Sequence, residues 1–127
     1  MPERHLYEYA VMRVVPRVER EEFLNVGVVL FCSSKLFLQT IYHIPEKRLK
    51  SFAQDLDLEE IRNYLQAFEQ VSKGGEEGGP IGLLPLAERF RWLTAVRSTV
   101  LQTSPVHPGL CVDPKETLIR LYRQLVL

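Results

Sequence analysis

The run Asn25 to Cys32, NVGVVLFC, is apolar at both odd and even positions and constrains the fold more than any other stretch. Successive side chains of a strand point to opposite faces, so a run apolar on both parities predicts a central strand covered on both sides. Its neighbours supply the companions. Leu6 to Val15, rich in Tyr and Val, reads as a strand ending at Pro16, whose ring fixes the backbone and removes a donor from any ladder. After a short Ser33-Ser34-Lys35 turn, LFLQTIYHI supplies a third strand. Three strands joined this closely predict an antiparallel meander. Arg17 to Leu24, between the first two, is a charged connection with room for a helical turn.

Helix signals follow. Pro45 opens a short amphipathic piece over Glu46 to Gln54, and Asp57 caps a longer helix with Leu58, Ile61, Leu65, Phe68 and Val71 on one face. Glycines from Gly74 to Gly79 and Pro80 end that helix in what reads as a mobile surface loop. Two glutamates at its centre and a helix in front of it argue against a phosphate loop. Pro85 to Leu93 reads as a third helix, and a return strand is expected near Thr99 to Thr103, followed by a loop broken by Pro105 and Pro108. Asp113 as cap, Pro114 at the first helical position and Leu118, Leu121, Tyr122 and Leu125 as a stripe define the last helix. The expectation is one α+β domain over residues 1–127, with an antiparallel or mixed sheet of about four strands and helices mainly on one face.

The 127 residues are 46% hydrophobic and 25% charged, an ordinary globular balance. Sixteen Lys and Arg match sixteen Asp and Glu, so no global field draws the chain onto nucleic acid or an anionic membrane, and neither is expected as a partner. The charge is uneven, however. Glu46 to Glu77 carries eight acids against five bases, and Leu84 to Leu127 six bases against three acids. Cys32 and Cys111 lie far apart in apolar runs and read as buried thiols, which with the absence of a signal-like apolar core leads to an expected cytoplasmic location.

Motifs that carry chemistry are mostly absent from the sequence. His5, His43 and His107 lack the spacing that places two imidazoles on one helical face, and the paired glutamates are adjacent and point about 100° apart. No nucleophile elbow, Walker loop or dinucleotide fingerprint is present, and no metal or cofactor is expected. One stretch stands out. Arg89 to Gly109, RFRWLTAVRSTVLQTSPVHPG, gathers three arginines, a tryptophan, hydroxyls, an amide and an imidazole without one carboxylate. Arg97 has the fork for a carboxylate or phosphate, Ser98, Thr99 and Ser104 have hydroxyls to donate, Gln102 an amide, and Trp92 a stacking face. With Arg17 and Arg89 they form a candidate ligand or partner surface where this stretch meets the first connection. The competing reading is structural: strand-side polar residues, loop punctuation and arginines paired locally. On the site reading, Arg97→Glu abolishes binding and moves the melting temperature little.

The stretches YAVMRVVPRVEREEFLNVGVVLF and LAERFRWLTAVRSTVLQTSPVHPGL, with the Asp113-Pro114 pair after them, resemble the signatures of the bacterial domain of unknown function 3037 family. The matching pattern covers Arg13, Pro16, Arg17, Glu22, Asn25, Gly27, Arg89, Phe90, Arg97, Ser98, Thr99, Gln102, Ser104, His107 and Gly109. The resemblance implies a small accessory protein, since members are often encoded beside kinase-like proteins of the HipA type, and it carries no catalytic residue. Three readings follow: a partner-binding module, with a kinase-like protein as the expected partner; a small-ligand, nucleotide or anion-binding regulator using Arg97 to His107; and an enzyme with His107 as acid or base. Self-association is compatible with each.

Overall fold

The structure, a computed structural model, describes residues 2–17 and 20–127. The helical turn expected between Arg17 and Leu24 falls partly on Val18 and Glu19, outside the described residues. Strands β1 (His5–Val14), β2 (Leu24–Cys32) and β3 (Phe37–Tyr42) form the expected meander, and β4 (Leu101–Thr103) and β5 (His107–Cys111) complete one antiparallel sheet. Its order is β3-β2-β1-β4, with β5 also paired to β1. The sheet therefore has five strands where about four were expected.

The additional strand lies in the stretch read as loop. β1 is long enough to be shared: β4 pairs with Met12 to Val14 and β5 with His5 to Tyr9 along the same edge. Val15 donates to the Val100 carbonyl at 2.7 Å and Ser104 to the Val11 carbonyl at 2.8 Å, so odd-numbered residues of β1 bond toward this edge. In that register His107, Gly109 and Cys111 face β1, whereas the backbone of Pro108 and Leu110 faces outward. Pro108 thus lacks a donor only where no ladder partner waits, which is why a proline is tolerated in a strand. Between β4 and β5, buried Ser104 bridges the break. Its Oγ accepts the Val11 N–H at 2.9 Å and donates to the Pro105 carbonyl at 2.9 Å.

Helices α1 (Glu46–Phe52), α2 (Leu58–Lys73), α3 (Gly79–Gly82) and α4 (Leu86–Leu93) precede β4, and α5 (Pro114–Leu125) ends the fold. The Asp57 carboxylate accepts from the Glu59 and Glu60 N–H groups at 3.0 and 3.2 Å, and Asp113 from Lys115 at 3.0 Å, so both expected caps form. Leu49, Ile61, Leu65, Phe68, Phe90 and Leu93 pack on Ala10, Met12, Val14, Val26 and Val29 in one core layer. On the other face Leu118 and Leu121 of α5 cover Tyr7, Val28, Leu30, Cys32 and Cys111. Both-parity burial of β2 is explained by this pair of layers, with α5 alone on the second face. Cys32 and Cys111 are free and buried.

Two glycine positions shape the frame. At Gly27 the β1–β2 register shifts in a bulge, and a Cβ would stand 2.7 Å from the Ile41 carbonyl oxygen, so the bulge requires glycine and sets Asn25 opposite Arg13. Gly74, at φ 82°, ends α2. The segment after it, expected as a mobile surface loop, holds two helical turns, over Glu76–Gly78 and α3, and is closed by the Gly75 N–H on the Gly82 carbonyl at 2.9 Å. Among the described residues no helix is long and apolar enough to cross a membrane.

Candidate functional site

An α-helix leaves its last carbonyls without intrahelical donors, and an arginine is well shaped to satisfy several at once. Arg89 does this for α2. Its Nη1 donates to the Val71 and Ser72 carbonyls at 3.0 Å each, and its Nε to the Leu84 carbonyl at 3.0 Å. The guanidinium lies against Gly74, where a Cβ would stand 2.5 Å from Nη1. Arg97 does the same for α4: Nη1 donates to the Leu93 carbonyl at 2.9 Å and Nη2 to that of Trp92. Its guanidinium lies over the Trp92 ring at 4.5 Å and near Phe68 at 5.4 Å, and burial pulls its pKa down from the ordinary arginine value. Both forks are committed to helix ends. Cation stacking also covers part of Trp92, which keeps 38% of its surface exposed.

The rest of the stretch is divided between local bonds and solvent. Thr99 Oγ1 donates to the Leu101 carbonyl at 2.6 Å, Gln102 Nε2 to the Thr99 carbonyl at 3.0 Å, and Ser104 holds the strand break. Ser98 is exposed. His107 is exposed on β5 and stacks on Tyr9, with ring centroids 5.4 Å apart. Arg17 lies elsewhere. It lines a cleft of about 430 Å³ with Pro16, Arg20, Glu22, Phe52, Ala53, Gln54 and Asp55. There it pairs with Asp55 at 3.7 Å, and Arg20 with Glu22 at 3.0 Å. The nine candidate residues are therefore not gathered in one cleft. β4 meets β1 rather than the first connection, with Gln102 opposite Arg13.

That row holds an arginine that spacing along the sequence does not single out as a site residue. Arg13 is flanked by Gln102 on β4 and Asn25 on β2, and its guanidinium lies 4.0 Å from the Phe23 ring centroid. Asn25 Nδ2 donates to the Leu125 carbonyl at 3.0 Å, closing the end of α5. Arg13 Nε and Asn25 Oδ1 are buried without hydrogen-bond partners among the described residues. They are a donor and an acceptor on cross-strand neighbours.

The least covered part of the sheet is the corner where β1 meets β5. Leu6 and Leu110 are direct cross-strand partners, exposed at 60% and 61%. On the same face the helical layer stops at Phe31, which stacks on Phe90 of α4 at 5.3 Å. A shallow cleft of about 260 Å³ continues the apolar surface along Leu6, Glu8, Phe31, Ser33 and Ser34. Half-exposed Val112 follows β5 directly. Neither leucine stood out in the sequence, because alternation alone does not tell a covered face from a bare one. The available signal was the place of β5 in the chain, after α4, the last helix of that layer.

Among the described residues no group of three or more His, Cys, Asp or Glu is placed to hold a metal ion. The fold and this surface define a small α+β protein built on a five-stranded antiparallel sheet, with a bare apolar corner and no enclosed reactive centre among the described residues. The model of the family described as protein of unknown function (DUF3037) matches residues 9–126, nearly the whole chain, and the chain belongs to that family. Comparison with curated proteins and with solved structures gave no match.

Proposed function

We propose that this chain is a partner-binding accessory module that docks a protein through the β1–β5 corner. The observation that carries this reading is the exposed Leu6–Leu110 pair. Apolar surface left in water is a free-energy cost that a partner's apolar side chains remove, at roughly 25 cal/mol per Å². Commitment of Arg89, Arg97, Thr99 and Ser104 to the chain's own backbone supports the same choice, since it leaves the arginine-rich stretch poorly equipped for a ligand. A kinase-like protein of the HipA type is the first partner to test.

The test is co-expression with that kinase-like protein, comparing the unaltered chain with Leu6→Lys and Leu110→Asp. Substitutions at such exposed positions move stability by about 0.5 kcal/mol or less, so the variants stay folded. Co-purification should fall about tenfold or more in each. Undiminished co-purification of both variants sinks the proposal.

A second reading, an anion-binding regulator, rests on the Arg17 and Arg20 cleft rather than on Arg97. Both ion pairs there are solvent-exposed, so an incoming phosphate exchanges with Asp55 and Glu22 at little cost. Thermal shift with inorganic phosphate and a nucleotide panel tests it, and a flat response removes it.

A further inference from the structure

The two edges of the sheet are not alike. At one, β4 and β5 are short, broken at Ser104, and lack a donor at outward-facing Pro108. Such features protect an edge against further pairing. At the other, β3 runs unbroken through Phe37-Leu38-Gln39-Thr40-Ile41-Tyr42, with no proline, no charge and no bulge. His43 donates to the Val26 carbonyl at 2.8 Å, which fixes the alternation along β3. Odd-numbered residues bond to β2, and the N–H and C=O groups of Leu38, Thr40 and Tyr42 face away from it. Among the described residues no hydrogen bond reaches those groups. Thr40 Oγ1 is also buried without a partner.

We propose that β3 is the strand through which two copies of this chain pair, antiparallel, about a twofold axis at Thr40. The sequence of the edge is self-complementary in that register. Leu38 meets Tyr42 of the second copy on the α2 side, and Gln39 meets Ile41 on the α5 side. Leu36, exposed at 80%, meets Ile44 just beyond the strand end. A neutral strand facing itself sets no like charges opposite each other. Each outward N–H and C=O of Leu38, Thr40 and Tyr42 then gains a ladder partner, and the two sheets become one. This surface lies at the opposite edge from the β1–β5 corner, so the pairing stands or falls independently of the docking reading.

Sedimentation equilibrium on the full chain tests the pairing, together with Thr40→Pro, which removes the central outward donor, and Leu36→Lys, which sets a charged ammonium against the apolar Ile44 of the second copy at each end of the paired strands. A hydrogen-bonded antiparallel pair holds its Cα atoms about 5.5 Å apart, within disulfide reach, so Thr40→Cys is expected to form a covalent dimer with oxidised glutathione. The expected result is a concentration-dependent dimer for the unaltered chain, at least about tenfold weaker in both other variants. A chain that stays monomeric up to millimolar concentration overturns the proposal. So does a dimer untouched by Leu36→Lys that also resists Thr40→Cys crosslinking, and this pair decides the matter should Thr40→Pro fail to fold. Monomers whose β3 amides become protected from exchange only when another protein is added would assign the edge to a foreign strand instead.

Discussion

Two arginines show how one side chain can be read in opposite ways from sequence. Both sit in a carboxylate-free stretch, which suggests free forks waiting for an anion, yet each donates to carbonyls that a helix end leaves without partners. Arg89→Ala strips donors from Val71, Ser72 and Leu84 together, and should destabilise the fold by about 2 to 4 kcal/mol. Arg89→Lys should recover little of this, because a single ammonium cannot reproduce a planar fork. Arg97→Glu is expected to lower the melting temperature as well, since it sets a carboxylate against the Trp92 and Leu93 carbonyls at the negative end of α4. Urea titration of these variants checks this, and wild-type midpoints would return the arginines to the surface role that the sequence suggested. The sequence held a hint of capping in the glycines after α2. It did not show which distant arginine would reach them, because that contact spans 18 positions and depends on how α2 and α4 cross.

At the scale of elements, periodicity was legible and coverage was not. The meander, both capped helices and the both-parity burial of β2 followed from local pattern, because each is dictated within a dozen residues. β5 escaped because Pro105 and Pro108 are loop signals, and only the outward register of Pro108 makes it harmless. The same blindness hid the candidate corner, since exposure of Leu6 and Leu110 depends on where α4 stops. Ser104 carries the clearest test of the split edge. Ser104→Ala leaves the Val11 N–H buried without its acceptor, and should cost about 1 to 3 kcal/mol while β4 and β5 keep their pairing to β1. Hydrogen exchange at Val11 should quicken ahead of its neighbours in β1. Unchanged stability would mean that water replaces the hydroxyl and that the break is not held by this residue.

Across the whole molecule, the two core layers share one electrostatic property: each holds a titratable group whose neutral form the fold prefers. On the α5 side, burial pushes the Cys111 thiol up from its ordinary 9.0, with the neighbouring Cys32 adding to it, and burial raises Tyr122 from 10.0. On the α2 side, burial raises Tyr42 from 10.0, and the Glu69 carboxylate pushes the same way. In the unfolded chain these groups release their protons first, so above about pH 9 the unfolded state binds fewer protons than the folded one. Their contribution to stability is therefore fully present below pH 9 and is lost as the pH rises toward the raised folded values. The thiol is lost first and the phenols after it, which gives the loss an order. Unfolding free energies measured by urea titration between about pH 7 and 10.5 should be level at first and then decline, with the earliest part of the decline missing in Cys111→Ala. The variant itself starts lower, since it trades a buried thiol for a smaller side chain, so the comparison is of slopes rather than of absolute values. Stability that rises between pH 9 and 10.5 in the unaltered chain would contradict the sign of all three shifts, and an onset unmoved in Cys111→Ala would remove the thiol from the account.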